Sequence, residues 1–179
     1  MISTSELSER LTIFDQAIDD AFTSLRGKPL ADKIFYLASE GADFSAAWHV
    51  IGIITAISNP TLRTQSVRLA LTLGIESLLV NGLIKELTNR PRPELLDDRS
   101  HEVRRPKTSS FPSGHASSAA VTAVLMSAAV PKLKPVWVGM AAVVGASRIH
   151  NRMHFGSDVA AGAVIGTAIA IAAKRIWKL

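Results

Sequence analysis

The chain has 179 residues, no cysteine and a formal net charge of +5, and 47% of its residues are hydrophobic although only 6% are aromatic. That length corresponds to one domain or little more, and the lack of cysteine excludes a disulfide framework and a thiolate metal site. The aliphatic residues come in long runs with the charges between them, which indicates a membrane-embedded helical bundle and argues against a nucleic-acid-binding module.

The first forty residues predict two amphipathic helices. Between residues 5 and 25, apolar side chains recur at steps of three and four, and a shorter stretch of the same kind covers Leu30 to Ser39. Helices of this kind lie on a membrane surface or pack on a bundle. We therefore assign residues 1–40 to an amphipathic N-terminal segment and residues 41–179 to a membrane domain.

Five long apolar runs follow, separated by prolines and polar residues. Several are shorter than the ~20 residues of a straight membrane span, yet they are too apolar to be loops. Gly162 and Gly166 have the spacing of a close-packed helix pair, which favours packing inside the bundle, although a homodimer stays open. The predicted fold is an all-α integral-membrane bundle of five to six core helices with an N-terminal amphipathic helix. The runs cover approximately residues 44–58, 67–84, 113–130, 135–149 and 158–174.

Two polar connections differ from the short turns between the runs. One is the loop of residues 85–112, and the other, residues 147–157, leads into the last apolar run. With five alternating spans, both connections emerge on the same side of the membrane. We therefore expect the active site there, with residues 85–112 as its main loop.

The first candidate stretch begins with Lys85 at the end of an apolar helix and continues to Arg92, which stands between Pro91 and Pro93. The prolines stop the helix and keep the segment extended. A lysine and an arginine placed in this way can bind phosphate, the arginine with two nitrogens at once. Taken alone, the two cations fit an anchor to lipid headgroups better.

The second candidate stretch is Ser113-Gly114-His115, directly before an apolar helix. Ser113 is a good N-cap, and Gly114 allows a ligand to approach the backbone closely. The free N–H groups of a helix N-terminus bind anions, and a histidine there can give a proton to a departing oxygen. The same residues fit an ordinary cap with a solvated histidine equally well.

The third candidate stretch contains His154 and Asp158, which lie one helical turn apart. The carboxylate can bond one imidazole nitrogen and fix the tautomer, which leaves the other nitrogen as a nucleophile. Many such pairs are surface pairs, but ionisable groups next to a membrane span are more often functional. We expect the neighbouring His150 and Arg152 to lie at the rim of the site.

Together, the three stretches resemble the three-part signature of the type 2 phosphatidic acid phosphatase superfamily. All signature positions match, in the family's order, between residues 85 and 158. The matched positions are Lys85, Arg92 and Pro93 in the first motif, Pro112 to His115 in the second, and Ser147, Arg148, His154 and Asp158 in the third.

The resemblance implies an integral-membrane phosphatase that hydrolyses a lipid or polyprenyl phosphate through a phosphohistidine, without metal or cofactor. By similarity, His154, oriented by Asp158, attacks phosphorus, and His115 protonates the departing alkoxide and then activates water. Three cations neutralise the phosphate, and a serine and a glycine complete the cradle. The implied phosphate-binding residues are Lys85, Arg92, Arg148, Ser113 and Gly114.

Several alternatives stay open at this point. A lipid phosphotransferase differs only in the acceptor that replaces water. A non-catalytic lipid-phosphate-binding membrane protein is expected to have lost one of the two histidines, and both are present. A soluble acid phosphatase or vanadium haloperoxidase can carry the same residues but not the membrane-length apolar runs. The expected partners are membrane lipids and a lipid substrate, either a glycerolipid phosphate, a polyprenyl diphosphate or a polyprenyl-linked sugar phosphate.

The basic residues predict an orientation in a bacterial inner membrane. The side opposite the two polar connections carries six of them, so the positive-inside rule places that side in the cytoplasm and the active site outside. Further cations on the active-site side argue the other way, but long loops weigh less in the rule. The six residues are Arg63, Lys132, Lys134, Lys174, Arg175 and Lys178.

Three polar residues have no place in the motifs. Glu76, inside an apolar helix, is predicted to pair with Arg68 two turns earlier or with another polar group of the bundle. His49 and His101 have no predicted partner.

Overall fold

The computed structural model describes residues 3–95, 101 and 103–177, which form seven helices and contain no strand. The all-α prediction is thereby confirmed. Lys178 and part of the predicted active-site loop, residues 96–100 and 102, lie outside the described residues. The helices are α1 (Thr4–Thr23), α2 (Pro29–Gly41), α3 (Ala46–Ser58), α4 (Pro60–Leu87), α5 (Gly114–Ala129), α6 (Lys134–His150) and α7 (Gly156–Ile176).

The helix ends follow from local sequence signals. Ser3 begins α1 by accepting a hydrogen bond from the backbone N–H of Glu6, and Ser113 begins α5 by accepting one from that of Ala116. The short 3₁₀ turn Pro131–Leu133 separates α5 from α6. Each of the five predicted apolar runs falls on one helix, α3 to α7.

Helix α5 is the centre of the bundle. Eleven of its 16 residues are buried, and α4, α6 and α7 all pack on it. The contact with α7 is closest at two glycines. A Cβ atom on Gly162 would collide with the carbonyl oxygen of Ser113, and one on Gly166 with that of Ser117. Gly162 and Gly166 therefore serve packing within the bundle, as their spacing predicts.

The outer surface of the bundle is more aliphatic than its centre. The buried residues of α5 are mostly Ala, Ser and Thr, whereas Ile57, Leu78 and Val164 on outer helices are 73%, 74% and 69% exposed. Small residues inside and large aliphatic residues outside are typical of helices that face lipid. By length and composition, α4 and α7 are candidate membrane spans, and α3 is a shorter apolar helix.

Helix α4 changes its winding just before the first candidate site residue. Its segment Leu78–Ile84 is π-helical, and the helix ends at Leu87. A π-helical turn holds more residues than an α-helical turn, so it rotates the following residues around the helix axis, and such segments are frequent at functional sites. Lys85 follows directly, and this segment therefore sets the direction of its side chain.

Helices α1 and α2 pack on α6 and α7. The rings of Phe22 and Phe35 lie 6.3 and 4.5 Å from the imidazole ring of His150. Ile18 fits against Gly156, where a Cβ atom would lie 2.9 Å from its side chain. The N-terminal helices thus touch the helices that carry the candidate site, and a domain boundary at residue 40 stays a prediction.

Candidate active site

A cavity of about 410 Å³ opens where the two polar connections meet. Six of the eight predicted site residues line it, while Ser113 and Asp158 lie behind its wall. Among the described residues, the lining carries four basic side chains and one acidic one, which favours an anionic ligand. The six predicted residues in the lining are Lys85, Arg92, Gly114, His115, Arg148 and His154.

The side chain of Arg92 is fixed by backbone oxygens. Its guanidinium donates to the carbonyl oxygens of Thr108 and Ser109, both at 3.2 Å, and of Met153 at 2.8 Å. Burial lowers the pKa of Arg92, yet an arginine remains cationic at neutral pH. The cavity therefore holds a positive charge that needs little reorganisation when an anion binds.

Lys85 and Arg148 reach the cavity from the ends of α4 and α6. Arg148 is only 1% exposed, and its Nη1 donates to the hydroxyl of Ser39 in α2. Its Nε has no hydrogen-bond partner among the described residues, which leaves donor capacity for an anion. With Arg92, these residues give the cavity three cations from three different parts of the chain.

The two ring nitrogens of His154 face different groups. Nδ1 lies 3.7 Å from Oδ2 of Asp158, which is longer than a hydrogen bond, and Nε2 lies 3.3 Å from Nη1 of Arg92. Catalytic hydrogen bonds are often long before substrate binds. Burial lowers the pKa of His154, so the imidazole is neutral at neutral pH. With its proton on Nδ1, the ring presents a lone pair on Nε2, as a nucleophile requires.

The carboxylate of Asp158 is held by three donors. Oδ2 accepts from the hydroxyl of Ser110 at 2.5 Å and from the backbone N–H of Phe155 at 2.9 Å, and Oδ1 accepts from Nη1 of Arg90 at 2.6 Å. The bond to Phe155 also caps the N-terminus of α7. These bonds fix the orientation of the carboxylate and leave it able to bias the tautomer of His154.

The N-terminus of α5 reaches the cavity, but its serine points into the protein. The hydroxyl of Ser113 accepts from the backbone N–H of Ala116 at 3.4 Å. The backbone N–H of Ser113 donates to the backbone carbonyl of Asp158 at 3.0 Å. Gly114 lines the cavity, where a Cβ atom would lie 2.6 Å from Oδ1 of Asn81. A contact of Gly114 with phosphate suits a helix N-terminus, and both this contact and one of the Ser113 side chain stay predictions.

His115 has a carboxylate partner that no motif contains. Its Nε2 lies 2.9 Å from Oδ1 of Asp43, in the turn Asp43–Ser45 between α2 and α3. The hydrogen bond with His115 lowers the pKa of Asp43, so the carboxyl group is ionised at neutral pH. Arg104 lies 3.7 Å from the other oxygen of Asp43. Sequence reasoning missed Asp43 because it precedes the histidine by 72 residues and no local pattern marks it.

Arg90 and Asp15 are further site residues that the sequence analysis missed. Besides Asp158, Arg90 binds Oδ2 of Asp15 in α1, at 2.5 Å from Nη2. Arg90 lies two residues before Arg92 and could have been suspected from its position. Asp15 is one of several acidic residues in an amphipathic helix, and only the folded chain distinguishes it.

The predicted rim position of His150 is wrong. His150 is 5% exposed, and its Nε2 lies 2.8 Å from Oδ1 of Asp32 in α2. Arg152 likewise faces the N-terminal segment, where it donates to Asp19 of α1 at 2.7 Å. Both residues thus hold α1 and α2 on the bundle. The rim prediction failed because these two helices cover the face that it left open to solvent.

Glu76 does not pair with Arg68, the first of its predicted partners, and a pairing with another polar group of the bundle stays a prediction. Glu76 is 1% exposed, while the guanidinium of Arg68 lies over the ring of Trp177 at 5.8 Å. The ring of His101 lies 4.7 Å from that of Tyr36. Of the three polar residues that the motifs left unexplained, His101 thus has an aromatic contact.

A second, mostly apolar cavity of about 290 Å³ lies between α3 and α4. Its lining includes Trp48 and Gly52 from α3 and Val67 and Leu69 from α4. His49 belongs to the lining of both cavities, so the two adjoin. This apolar cavity, called the groove below, lies beside the cationic cavity. The arrangement suits a ligand with a hydrocarbon part and an anionic head.

The described residues that line the cavity favour an anionic ligand over a metal cation. No group of three or more His, Asp or Glu side chains among them is arranged to hold a metal ion. The donors that face the cavity are guanidinium, ammonium and backbone N–H groups, which bind oxyanions.

The family model described as PAP2 superfamily matches residues 65–179. Decaprenylphosphoryl-5-phosphoribose phosphatase of Mycobacterium tuberculosis is 32% identical over 125 residues, which cover 68% of this chain and 67% of that protein. The family-model match includes all three candidate stretches and begins within α4, after α1, α2 and α3.

Two solved structures share the fold. The transmembrane PAP2 type phosphatidylglycerolphosphate phosphatase from Bacillus subtilis aligns with a TM-score of 0.74 and 23% identity, over 98% of this chain and 88% of its own. LpxE from Aquifex aeolicus aligns with a TM-score of 0.66 and 28% identity, over 87% of this chain and 93% of its own. Both alignments extend into the N-terminal half of the chain.

Proposed function

The chain belongs to the PAP2 superfamily, and on that premise we propose that it is a multi-pass membrane phosphatase in which His154 attacks a polyprenyl-linked phosphate monoester. The observation that carries this proposal is the position of His154. Its Nε2 lies beside Arg92 in a cationic cavity, while its Nδ1 points to the buried carboxylate of Asp158.

In the first step, Nε2 of His154 forms a bond to phosphorus, and the bond from phosphorus to the alkoxide oxygen of the lipid-linked sugar breaks. His115 gives its proton to that oxygen, so the product leaves as an alcohol. In the second step, His115 takes a proton from water, the resulting hydroxide attacks phosphorus, and the P–N bond breaks to release inorganic phosphate. Asp158 stabilises the positive charge that His154 carries in between.

Three cations offset the charge of the phosphate during both steps. Lys85, Arg92 and Arg148 line one cavity with the two histidines, and negative charge grows on the phosphoryl oxygens in the transition state. Fixed donors in a largely buried cavity stabilise that charge more than water does. The N–H of Gly114 at the start of α5 adds a neutral donor.

The proposed substrate class rests on the relative and on the groove. The Mycobacterium protein is named for a phosphate on a sugar that a polyprenyl phosphate carries. The groove between α3 and α4 offers an apolar surface for the prenyl chain, and polar side chains in the cavity offer partners for sugar hydroxyls. These polar residues include Ser45, Ser77, Asn81 and Thr108.

We also propose that the active site faces the outer side of a bacterial inner membrane. The basic residues of the short connections support this orientation through the positive-inside rule. Because the chain has no cysteine, Glu94→Cys and Arg175→Cys would report on opposite sides without background. A membrane-impermeant thiol reagent should label the first variant in intact cells and spare the second, and the reverse pattern contradicts the orientation.

Phosphate release by detergent-purified protein tests the function. We expect a polyprenyl-phosphoryl sugar phosphate to be hydrolysed faster than phosphatidylglycerolphosphate, with EDTA present. His154→Ala should abolish release, and the matched control His101→Ala, outside the cavity lining, should not. Preference for the glycerolipid would overturn the substrate class alone, whereas full activity of His154→Ala would overturn the mechanism.

A further inference from the structure

A chain of polar contacts leads from helix α1 to the proposed nucleophile. Asp15 is a carboxylate on α1 that is 6% exposed. Its Oδ2 lies 2.5 Å from Nη2 of Arg90, whose Nη1 lies 2.6 Å from Oδ1 of Asp158. One guanidinium thus joins two carboxylates, one from the N-terminal segment and one from the catalytic centre.

A second link ties Asp15 to the same place. The backbone N–H of Ser157 donates to Oδ1 of Asp15 at 2.7 Å, and its hydroxyl donates to Oδ2 at 2.9 Å. Nη1 of Arg90 also donates to that hydroxyl at 2.7 Å. Ser157 precedes Asp158, so Asp15 holds the first turn of α7 both directly and through Arg90.

The guanidinium of Arg90 is also fixed from outside this network. The central carbon of the guanidinium, Cζ, lies 4.3 Å from the ring centroid of Phe155. The backbone N–H of Arg90 donates to the hydroxyl of Ser109 at 3.2 Å. Two residues further on, Arg92 contributes a cation to the cavity. Because Arg92 is held by backbone oxygens of its own, a shift of Arg90 would act mainly on the carboxylate that faces His154.

From these contacts we propose that Asp15 is a positioning residue of the active site, which acts through Arg90 on Asp158 and thereby on His154. This inference rests on the proposed function. Asp15 touches neither the cavity nor the reacting atoms. It binds Nη2 of Arg90 and thereby sets the plane of the guanidinium whose Nη1 binds Asp158.

The role requires two nitrogens in a rigid plane. An arginine can bind two carboxylates with separate nitrogens, whereas a lysine offers one point charge. Small misplacements of a catalytic group slow the chemical step strongly, even when substrate still binds. Loss of the link should therefore lower kcat and leave KM nearly unchanged.

The test compares Asp15→Asn with Asp20→Asn, a matched change at an exposed position of the same helix. We expect Asp15→Asn to lower kcat at least tenfold with KM within about twofold, and Asp20→Asn to leave both within twofold. An unchanged kcat in Asp15→Asn, beside an active wild type, overturns the inference. An inactive wild type would instead overturn the proposed function.

A double-variant comparison separates positioning from a general effect on folding. If Asp15 acts through Arg90, adding Asp15→Asn to Arg90→Lys should change kcat by less than twofold relative to Arg90→Lys alone. If the two substitutions act independently, their fold-reductions in kcat multiply in the double variant. A multiplied reduction contradicts the proposal. If Asp15→Asn does not fold, Arg90→Lys alone tests the proposal. This variant keeps the positive charge but cannot bind two carboxylates with separate nitrogens, and an unchanged kcat in it overturns the proposal.

Discussion

Nε2 of His115, the proposed general acid, lies 2.9 Å from Oδ1 of Asp43, which belongs to the turn between α2 and α3. The hydrogen bond with His115 lowers the pKa of Asp43, so the carboxylate stays charged throughout the neutral range. A charged carboxylate favours the protonated form of the imidazole. The protonated form of His115, which the leaving group needs, is thus favoured by a residue outside the family signature.

The variant Asp43→Asn tests this relationship. An amide cannot stabilise a protonated imidazole as a carboxylate does, so His115 should lose its proton at lower pH. We expect kcat to fall by on the order of tenfold at neutral pH and the alkaline limb of its pH profile to move to lower pH. A profile that keeps its alkaline limb would show that Asp43 does not act on the general acid.

Acidification should destabilise the fold through His154. Burial lowers its pKa in the folded protein, whereas the unfolded chain takes up the proton near pH 6.5. Between these values the unfolded state binds more protons, so the free energy of unfolding falls as the pH falls. At pH 5 the loss from this group is at most about 2 kcal/mol.

The measurement is the midpoint of thermal unfolding at pH 7 and pH 5, for the wild type and for His154→Asn. The wild type should lose more on acidification than the variant, in which no group titrates at this position. Equal losses in the two proteins would mean that burial does not suppress the protonation of His154.

Because α5 and α7 are in close contact, we expect alanine substitutions at two glycines to differ strongly in their effect on stability. Gly166→Ala places a Cβ atom against the carbonyl oxygen of Ser117, whereas nothing lies within 4 Å of the corresponding position at Gly139. We expect Gly166→Ala to lower the free energy of unfolding by about 1–3 kcal/mol and Gly139→Ala to raise it by up to about 1 kcal/mol. Comparable stabilities would contradict the close approach of the two helices.

The apolar groove predicts an effect that depends on the substrate. Gly52→Leu would place a side chain in the groove between α3 and α4, near Leu69, whose Cδ2 lies 3.8 Å from a Cβ atom built there. Excluding a few methylene groups of a prenyl chain, at about 0.8 kcal/mol each, should lower kcat/KM at least tenfold. A soluble aryl phosphate should be hydrolysed as before.

Gly139→Leu on α6 is the matched control, because it adds the same side chain away from the groove. It should leave the long-chain and the aryl substrate unaffected. A Gly52→Leu enzyme that keeps its full kcat/KM for the long-chain substrate would place the prenyl chain elsewhere.

The sequence predicted most of the helices because their signals are local. Apolar runs, proline turns and the Ser113 cap depend on neighbouring residues, and each run became one helix. The π-helical segment before Lys85 has no such signal, since it reflects how α4 fits against the bundle. The rim position of His150 was predicted wrongly because sequence periodicity does not tell which face another helix covers.

The candidate site shows the same difference between residues with a local sequence signal and residues paired only by the fold. Six of the predicted residues line one cavity because the motifs that carry them are short and adjoin helix ends. Asp15 and Asp43 were not predicted, because their partners Arg90 and His115 lie 75 and 72 residues away. Only tertiary packing creates these pairs.

Trapping the phosphorylated enzyme shows whether His154 carries the phosphoryl group during turnover. His115→Ala, incubated with a radiolabelled aryl phosphate whose leaving group needs no proton, should accumulate label on the protein because water is no longer activated. The label should be lost in acid and stable in alkali, as a phosphohistidine is, and it should be missing from the His115→Ala/His154→Ala double variant. Label that persists in the double variant, or that is stable in acid, would contradict the account.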